Sequence, residues 1–257
     1  MRVTALQSTI AWEDKATNLE RLRGDLERLH GETDLVVLPE MFSTGFSMNN
    51  RLMAEPTDGQ TMNMLRQWAR EFTVALTGSY IAVENGAYYN RGFFLTPDGT
   101  SYYRDKRHLF RMGEEADYFE AGNDRTIISY QGWNILLLIC YDLRFPVWAR
   151  NRNNEYDLLI YVANWPVGRR KVWDVLLQAR AIENQCYVCG VNRVGDDGNG
   201  LHYDGGTVIY SPRGTVQAAV ADGIVGQATS ELSREALHNW RNKFAVWRDA
   251  DDFTIVP

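Results

Sequence analysis

Short apolar runs, each bounded by polar or turn-forming residues, recur along the chain and predict buried strands. These runs lie at residues 3–7, 34–38, 74–83, 88–95, 127–130, 133–140, 158–162, 187–193, 207–210 and 215–220. Between some of them, polar stretches carry apolar side chains at every third or fourth position, which is the spacing of one helix face. Helices are therefore predicted at residues 13–29, 58–69 and 173–185.

Turn-forming residues indicate how neighbouring elements connect. Asn85-Gly86 separates two strands and is typical of a two-residue hairpin. Residues 195–206 are rich in Gly, Asp and Asn, and they predict a loop around one short strand, without the spacing of a calcium site. The chain has no Pro- or Ser-rich linker. We therefore predict one domain over residues 1–257, of the α/β class, with helices and strands layered around paired sheets.

Composition narrows the class of protein further. Hydrophobic residues make up 45% of the chain, which is enough for a sizeable core. A net charge of −6 without a long basic stretch argues against nucleic acid as a partner. The apolar run at residues 135–140 is too short to span a membrane, and the opening residues are interpreted as a strand rather than a signal peptide. Three cysteines do not suggest a disulfide framework, so we expect a cytoplasmic protein.

Cys140 is the first candidate for chemistry. It ends an apolar run and is followed by polar residues and Pro146, which predicts a corner between a strand and a helix. Backbone N–H groups at such a corner can bind an oxyanion, and a helix N-terminus favours a thiolate. The alternative is a small buried side chain at a strand end. Cys186 and Cys189 follow a helix and enter a strand, so their Cys-x-x-Cys spacing is attributed to packing.

A nucleophilic thiol needs a base, and the chain offers few histidines. Of the four, only His108 is a credible candidate. Glu40 lies just past a buried strand, where a charge is costly unless it is paired or useful, although a surface or helix-capping role is the alternative. Lys106 follows a strand-like segment at residues 100–104, and its alternative is a solvated charge.

Three stretches carry a resemblance to a known family. They are Leu-Pro-Glu-Met-Phe (38–42), Tyr-Arg-Asp-Lys-Arg-His-Leu-Phe (103–110) and Cys-Tyr-Asp-Leu-Arg-Phe-Pro (140–146). In this order and spacing the chain resembles the nitrilase, or carbon–nitrogen hydrolase, superfamily. The resemblance implies a four-layer αββα sandwich that dimerises through helices, with no cofactor and no metal.

The same resemblance implies a catalytic triad of Glu40, Lys106 and Cys140. Glu40 is expected to act as general base and acid, and Lys106 to stabilise the thiolate and the oxyanion. The backbone N–H of Tyr141 is expected to be a second oxyanion donor. The family often has a second glutamate that positions substrate and water. We assign it to Glu115, with the neighbouring Glu114 as the alternative.

Within the superfamily the chain is most similar to the omega-amidases. This similarity rests on the stretches 40–48, 105–112, 164–166 and 243–253. It implies hydrolysis of the terminal amide of 2-oxoglutaramate or 2-oxosuccinamate. Arg107, Arg169 or Arg170 is expected to bind the substrate carboxylate, whereas Arg144 is assigned to a structural ion pair. The predicted pocket walls are Phe42, Phe46, Tyr141 and Trp165.

Other functions are compatible with the same residues. A nitrilase or an N-carbamoyl-amine hydrolase would use the same triad, and a thiol hydrolase based on His108 would use another. A binding protein that retains the fold without activity is an alternative of another class. The expected partners are a small-molecule amide and a second copy of the chain, with neither nucleic acid nor a membrane involved.

Overall fold

Two six-stranded sheets form the centre of the protein in a computed structural model that describes residues 1–255. Residues 256 and 257, the last two of the predicted domain, lie outside the described residues. The strands are β1 Arg2–Gln7, β2 Leu35–Val37, β3 Ala75–Glu84, β4 Ala87–Leu95, β5 Ser101–Asp105, β6 Ile128–Tyr130, β7 Trp133–Ile139, β8 Leu158–Ala163, β9 Tyr187–Asn192, β10 Val194–Asp196, β11 His202–Asp204, β12 Val208–Tyr210, β13 Val216–Ala219 and β14 Gly226–Glu231.

The two sheets have similar strand orders. The first runs β14–β1–β2–β3–β4–β5 and the second β13–β12–β9–β8–β7–β6, while β10 and β11 form a separate hairpin. In the first sheet β1, β2 and β3 are parallel, and in the second β7, β8 and β9 are parallel. Each sheet therefore presents the carboxyl ends of three neighbouring strands at one edge.

Seven α-helices and four short 3₁₀ segments join these strands within residues 1–255. The helices are α1 Lys15–Leu29, α2 Asn50–Met53, α3 Gln60–Glu71, α4 Glu115–Tyr118, α5 Pro146–Ala149, α6 Arg170–Asn184 and α7 Arg234–Lys243. The 3₁₀ segments are Arg111–Gly113, Cys140–Arg144, Val167–Arg169 and Val246–Asp249. No helix among the described residues is long and apolar enough to cross a membrane.

The helices cover the outer faces of the two sheets. The apolar faces of α1 and α3 are buried against side chains of β2, β3 and β4 in the first sheet. The inner faces of the sheets meet closely, since a Cβ on Gly92 of β4 would lie 2.9 Å from Leu137 Cδ2 of β7. On the far side, a Cβ on Gly190 of β9 would lie 2.3 Å from Leu177 Cδ1 of α6. The resulting layers are helix, sheet, sheet and helix, so the αββα architecture is confirmed.

The predicted elements agree with the structure wherever the apolar pattern is strong. The hairpin is confirmed, because Asn85 and Gly86 have φ values of 51° and 81° and join β3 to β4. The prediction that α1 begins at residue 13 is wrong by two residues. Glu13 has a φ of 54°, which a helix does not allow, and Asp14 caps the helix by accepting from Thr17 N at 3.0 Å.

Several predicted boundaries in the second half of the chain also change. One short strand was predicted in the segment 195–206, but the segment contains all of β11 and most of β10. Helix α6 begins three residues earlier than predicted, at Arg170. Cys186 and Cys189 are free and completely buried, which confirms that the pair packs in the core.

Candidate active site

Polar side chains gather where strands of both sheets end. Cys140 directly follows β7, Asn164 directly follows β8, and Lys106 directly follows β5. Glu40 comes three residues after the end of β2, which belongs to the first sheet together with β5. Because the parallel strands of each sheet share a direction, their carboxyl ends place these groups together between the sheets.

Cys140 occupies a sharp corner between β7 and the 3₁₀ segment that follows. Its φ is 46°, a left-handed conformation that usually costs about 1–3 kcal/mol for a residue other than glycine. Asp142 holds the corner, since its Oδ2 accepts from Ile139 N at 3.1 Å and its Oδ1 accepts from His108 N at 3.1 Å. The predicted strand-to-helix corner is thus confirmed, and Pro146 begins α5 as expected.

Lys106 lies between two carboxylates in a site closed to solvent. Its Nζ donates to Glu40 Oε1 at 2.9 Å and to Glu115 Oε2 and Oε1 at 2.9 and 3.0 Å. All three side chains are completely buried. Burial opposes the charged ammonium, but the charges of Glu115 and Glu40 outweigh it and raise the pKa of Lys106. Lys106 therefore remains a cation near neutral pH.

Glu40 is held in one orientation by two asparagines. Asn90 Nδ2 donates to its Oε1 at 2.8 Å, and Asn164 N donates to its Oε2 at 2.8 Å. Asn164 also donates through Nδ2 to the Glu40 carbonyl oxygen at 2.7 Å. Neither asparagine was assigned a role from the sequence. Asn90 could have been noticed as a polar residue inside a predicted buried strand, because such a group requires a partner.

Glu115, rather than Glu114, belongs to this cluster. Its carboxylate accepts from Asn90 Nδ2 at 3.0 Å and from Phe110 N at 2.6 Å, besides its two bonds from Lys106. Burial raises the pKa of Glu115, the ammonium of Lys106 opposes this shift, and the charge of Glu40 adds to it. Glu114 is exposed and has a φ of 59°.

The thiol of Cys140 is neutral in the resting protein. Burial raises its pKa well above the ordinary value, Glu40 raises it further by its charge and a hydrogen bond, and Lys106 lowers it. Its Sγ lies 3.9 Å from the carbonyl oxygen of Asn164. A nucleophilic thiolate must therefore form as the substrate arrives, with a base beside it to take the proton.

The buried charges predict a large stability effect for Lys106→Met. Removing the cation leaves Glu40 and Glu115 buried without a counter-charge, and breaking such a pair typically costs about 3–5 kcal/mol. We expect urea unfolding to show this loss in the free energy of unfolding. Lys171→Met, at an exposed position on α6, is the control and should change it by less than about 0.5 kcal/mol. Equal stability of the two variants would contradict a charged Lys106.

A cavity of about 290 Å³ opens above Cys140. Four of the predicted substrate-binding residues line it: Phe46, Tyr141, Trp165 and Arg169. Besides Cys140 and Lys106, it has wall residues that were not predicted as substrate contacts: Met48, Phe110, Met112, Gly113, Arg144, Asn164, Pro166 and the hairpin residues Asp197, Asn199, Leu201 and Tyr203. Loop positions without a periodic pattern gave no signal for these side chains.

Two predicted substrate contacts do not reach this cavity. Phe42 is buried in the layer between the first sheet and its helices, where its ring meets Phe93 at 5.9 Å. The left-handed backbone conformation of Met41, with a φ of 44°, turns the chain directly before Phe42. Arg107 points away from its neighbour Lys106, donates to Asn123 Oδ1 at 2.7 Å and lies over the Trp148 ring.

Arg144 and Arg169 both line the cavity, each beside an aromatic ring. Arg144 makes no ion pair within residues 1–255, so its assignment to a structural pair is wrong. Its guanidinium lies 5.2 Å from the centre of the Trp165 ring, and that of Arg169 lies 5.1 Å from the centre of the Phe110 ring. Arg170, by contrast, is bound to Asp174, Asp204 and Asp222.

His108 does not line the cavity that contains Cys140. Its Nδ1 lies 2.8 Å from Asp142 Oδ1, and its ring stacks on Phe145 with centres 3.7 Å apart. The charge of Glu40, by contrast, acts on the thiol of Cys140, so Glu40 is the candidate base. The alternative of a thiol hydrolase based on His108 therefore loses its base.

Comparison with known proteins identifies the family. The carbon–nitrogen hydrolase family matches residues 2–242. The chain belongs to this family. It is 46% identical to omega-amidase YafV of Yersinia enterocolitica over 258 residues, which cover 100% of this chain and 99% of that protein. This carbon–nitrogen hydrolase therefore acts on amides, and its similarity to the omega-amidases is confirmed.

Solved structures support the same conclusion. XC1258 from Xanthomonas campestris, a member of the superfamily with an arsenic adduct in its active site, has a TM-score of 0.96 and 40% identity, covering 100% of this chain and 99% of its own. A Glu-to-Gln mutant of the amidase from Nesterenkonia sp. AN1 has a TM-score of 0.83 and 25% identity, covering 95% and 98%. That mutant shows Michael addition of acrylamide at the active-site cysteine.

Proposed function

We propose that this carbon–nitrogen hydrolase cleaves the terminal amide of a small dicarboxylate monoamide, such as 2-oxoglutaramate or 2-oxosuccinamate, and releases ammonia. One observation carries the proposal. The cavity that contains Cys140 and Lys106 is also lined by Arg144 and Arg169, and neither guanidinium has a hydrogen-bond or ion-pair partner among the described residues. Such a cavity suits a ligand with a reactive amide at one end and a carboxylate at the other.

The buried charges support a mechanism through a thioester. Glu40 takes the proton of Cys140 as Sγ attacks the amide carbon, and it then gives this proton to the departing ammonia. The ammonium of Lys106 and the backbone N–H of Tyr141 donate to the oxyanion, and each such donor is typically worth about 10²–10³-fold in rate. Water, activated by Glu40, hydrolyses the thioester. Glu115 positions Lys106 and the attacking water.

The charge of the cavity supports recognition of a carboxylate. Its one acidic wall residue, Asp197, is already committed, because Oδ1 accepts from Asn199 N at 2.8 Å and Oδ2 accepts from Tyr203 Oη at 2.9 Å. Arg144 and Arg169 lie over aromatic rings and can present planar edges to a carboxylate. The ammonium of an amino-acid amide would meet these cations unfavourably.

We predict that Arg144→Gln and Arg169→Gln each raise KM for 2-oxoglutaramate by about 10-fold or more, since a hydrogen bond to a charged group is worth about 1.5–3 kcal/mol. Hydrolysis of a neutral amide such as propionamide should change little. Steady-state ammonia release measures both. Arg248→Gln, at an exposed position, is the control. Equal losses for the charged and the neutral amide would contradict the assignment.

A panel of substrates tests the proposed function itself. It contains 2-oxoglutaramate, 2-oxosuccinamate, glutamine, propionamide, a nitrile and an N-carbamoyl amine, with ammonia as the common product measured. We expect the two 2-oxo acid amides to have the highest kcat/KM. Faster hydrolysis of the nitrile or of the N-carbamoyl compound would replace the proposal by the corresponding alternative with the same triad.

The exposed sides of two helices support the homodimer that the family resemblance implies. Val147 on α5 is 57% exposed, and Val175 and Ile182 on α6 are 55% and 52% exposed. Aliphatic side chains exposed together on neighbouring helices are typical of surfaces that bind another protein chain. We propose that a second copy covers them.

A further inference from the structure

The two loops that wall the cavity rest on the same short segment of chain. This connection, residues 8–14, joins β1 to α1 and does not itself line the cavity. One of the loops, residues 41–49, carries Phe46 and Met48 into the cavity. The other is the β10–β11 hairpin, residues 194–204, which carries Asp197, Asn199 and Leu201.

Trp12 contacts both loops through opposite parts of its indole ring. A Cβ placed on Gly45 would lie 3.0 Å from Cε3 and 3.2 Å from Cζ3 of the six-membered ring. A Cβ placed on Gly198 would lie 2.4 Å from Nε1 and 2.5 Å from Cδ1 of the five-membered ring. Gly45 directly precedes Phe46, and Gly198 lies between Asp197 and Asn199. The indole thus touches backbone adjacent to three cavity residues.

Hydrogen bonds hold the connection to the same two loops. Glu13 N donates to Thr44 O at 2.8 Å, and Asn49 Nδ2 donates to the carboxylate of Glu13 at 3.1 Å. On the hairpin side, Val194 N donates to Ser8 O at 3.0 Å. Each loop is therefore attached at its base, and the indole of Trp12 fills the space between them.

We propose that Trp12 is a positioning residue that sets the separation between the loop 41–49 and the β10–β11 hairpin, and thereby the fit of the substrate. Both contacts of the indole are to glycine backbone. Neither loop therefore has a flexible side chain at the contact that could move aside in place of the backbone. A shift of either loop moves residues on opposite walls of the cavity relative to Cys140. The walls that shift contact the bound substrate rather than the reacting atoms, so a change in their separation should remove binding that the substrate and the transition state share, which raises KM and leaves kcat nearly unchanged. The changes in KM expected below rest on the amidase function proposed above.

A pair of substitutions tests the contact. Gly198 does not have a left-handed φ, so the obstacle that Gly198→Ala meets is the contact with Trp12. We expect Gly198→Ala and Trp12→Leu each to raise KM for 2-oxoglutaramate by about 10-fold, with kcat within about 3-fold. In the double variant the added methyl group occupies part of the space that the indole leaves. The fold-increase in KM of the double variant should therefore be clearly smaller than the product of the two single fold-increases.

Two controls separate positioning from a general loss of stability. Gly24→Ala on α1 adds a methyl group that meets only Arg28 Nη1 at 3.7 Å, and it should leave KM unchanged. Trp240→Leu removes an indole that does not line the cavity. Urea unfolding of all variants identifies losses that follow stability alone. Unchanged KM in Gly198→Ala and Trp12→Leu, or strictly multiplicative effects in the double variant, would overturn the proposal.

A second readout does not depend on the substrate. The ratio of the rates at which iodoacetate and iodoacetamide alkylate Cys140 reports how well the cavity places a carboxylate beside the thiol. We expect this ratio to fall in Trp12→Leu and in Gly198→Ala, and to stay constant in both controls. If wild-type protein hydrolyses none of the amides but the ratio falls as expected, the proposed function fails and the role of Trp12 stands. A constant ratio in all variants overturns the role of Trp12 alone.

Discussion

Cys140→Ala is expected to abolish ammonia release from 2-oxoglutaramate, with a loss in kcat of at least about 10⁴-fold. The substitution removes the only atom in the cavity that can form the thioester, and the charges of Glu40 and Lys106 cannot replace it. The fold should persist, because Cys140 lies at the cavity floor and alanine is slightly smaller. Circular dichroism and urea unfolding check this point.

Cys189→Ala is the matched control for this experiment. Cys189 is a free and completely buried thiol, like the nucleophile, but it lies within β9 and does not line the cavity. Its substitution should leave kcat within about 2-fold, although the protein loses stability as for other core truncations. Substantial turnover by Cys140→Ala with an intact fold would contradict the thiol mechanism.

Glu40→Gln is expected to lower kcat by about 10²–10⁴-fold, the usual contribution of a general base. The amide can retain hydrogen bonds to neighbouring groups, but it cannot take the thiol proton or protonate ammonia. Glu114→Gln, exposed beside Glu115, is the control and should retain activity. Steady-state ammonia release distinguishes the two variants.

The same substitution should make Cys140 more reactive toward iodoacetamide at neutral pH. Glu40 raises the pKa of the thiol by its charge and hydrogen bond, whereas Lys106 lowers it. Without the carboxylate the thiol pKa falls, so a larger fraction is thiolate at a given pH. Turnover and alkylation therefore change in opposite directions. If both rates fell together, Glu40 would instead be needed to form the thiolate in the resting protein.

The strands and the nucleophile could be predicted because their signals are local. The run at residues 133–139 is apolar at nearly every position, as expected for a strand that is covered on both faces. The polar residues after Cys140 mark the corner equally well. The strand β14 gave no such signal, because it pairs with β1 at the edge of the sheet and only Ala228 is buried. The polar helix α7 buries only Leu237 and Arg241, so its bounds also lacked an apolar signal.

The way in which the buried charges are shared could not be read from the sequence. Lys106 bonds Glu40 from 66 residues away and Glu115 from 9 residues away, and Asn90 bonds both carboxylates. These contacts depend on how β2, β3, β4 and β5 lie side by side and on the turn that directs Glu115 inward. The resemblance supplied the residues, and the three-dimensional arrangement supplied their shared hydrogen bonds.

The error at Arg144 has a particular physical cause. The nearest acidic residue along the chain, Asp142, lies two residues away. The structure uses both oxygens of Asp142 to hold the corner, with Ile139 N on Oδ2 and His108 on Oδ1. Arg144 is left to face the cavity over Trp165. An acid that secures a backbone corner does not neutralise the next cation along the chain.

The central claim is that the acyl group of the substrate passes through Cys140. Partitioning with hydroxylamine tests this claim directly, because a thioester is intercepted by hydroxylamine after the leaving group has departed. The ratio of hydroxamate to free acid should then be the same for the primary amide, the N-methylamide and the methyl ester of one acyl group. A ratio that depends on the leaving group would show that no common acyl-enzyme forms, and would contradict the account.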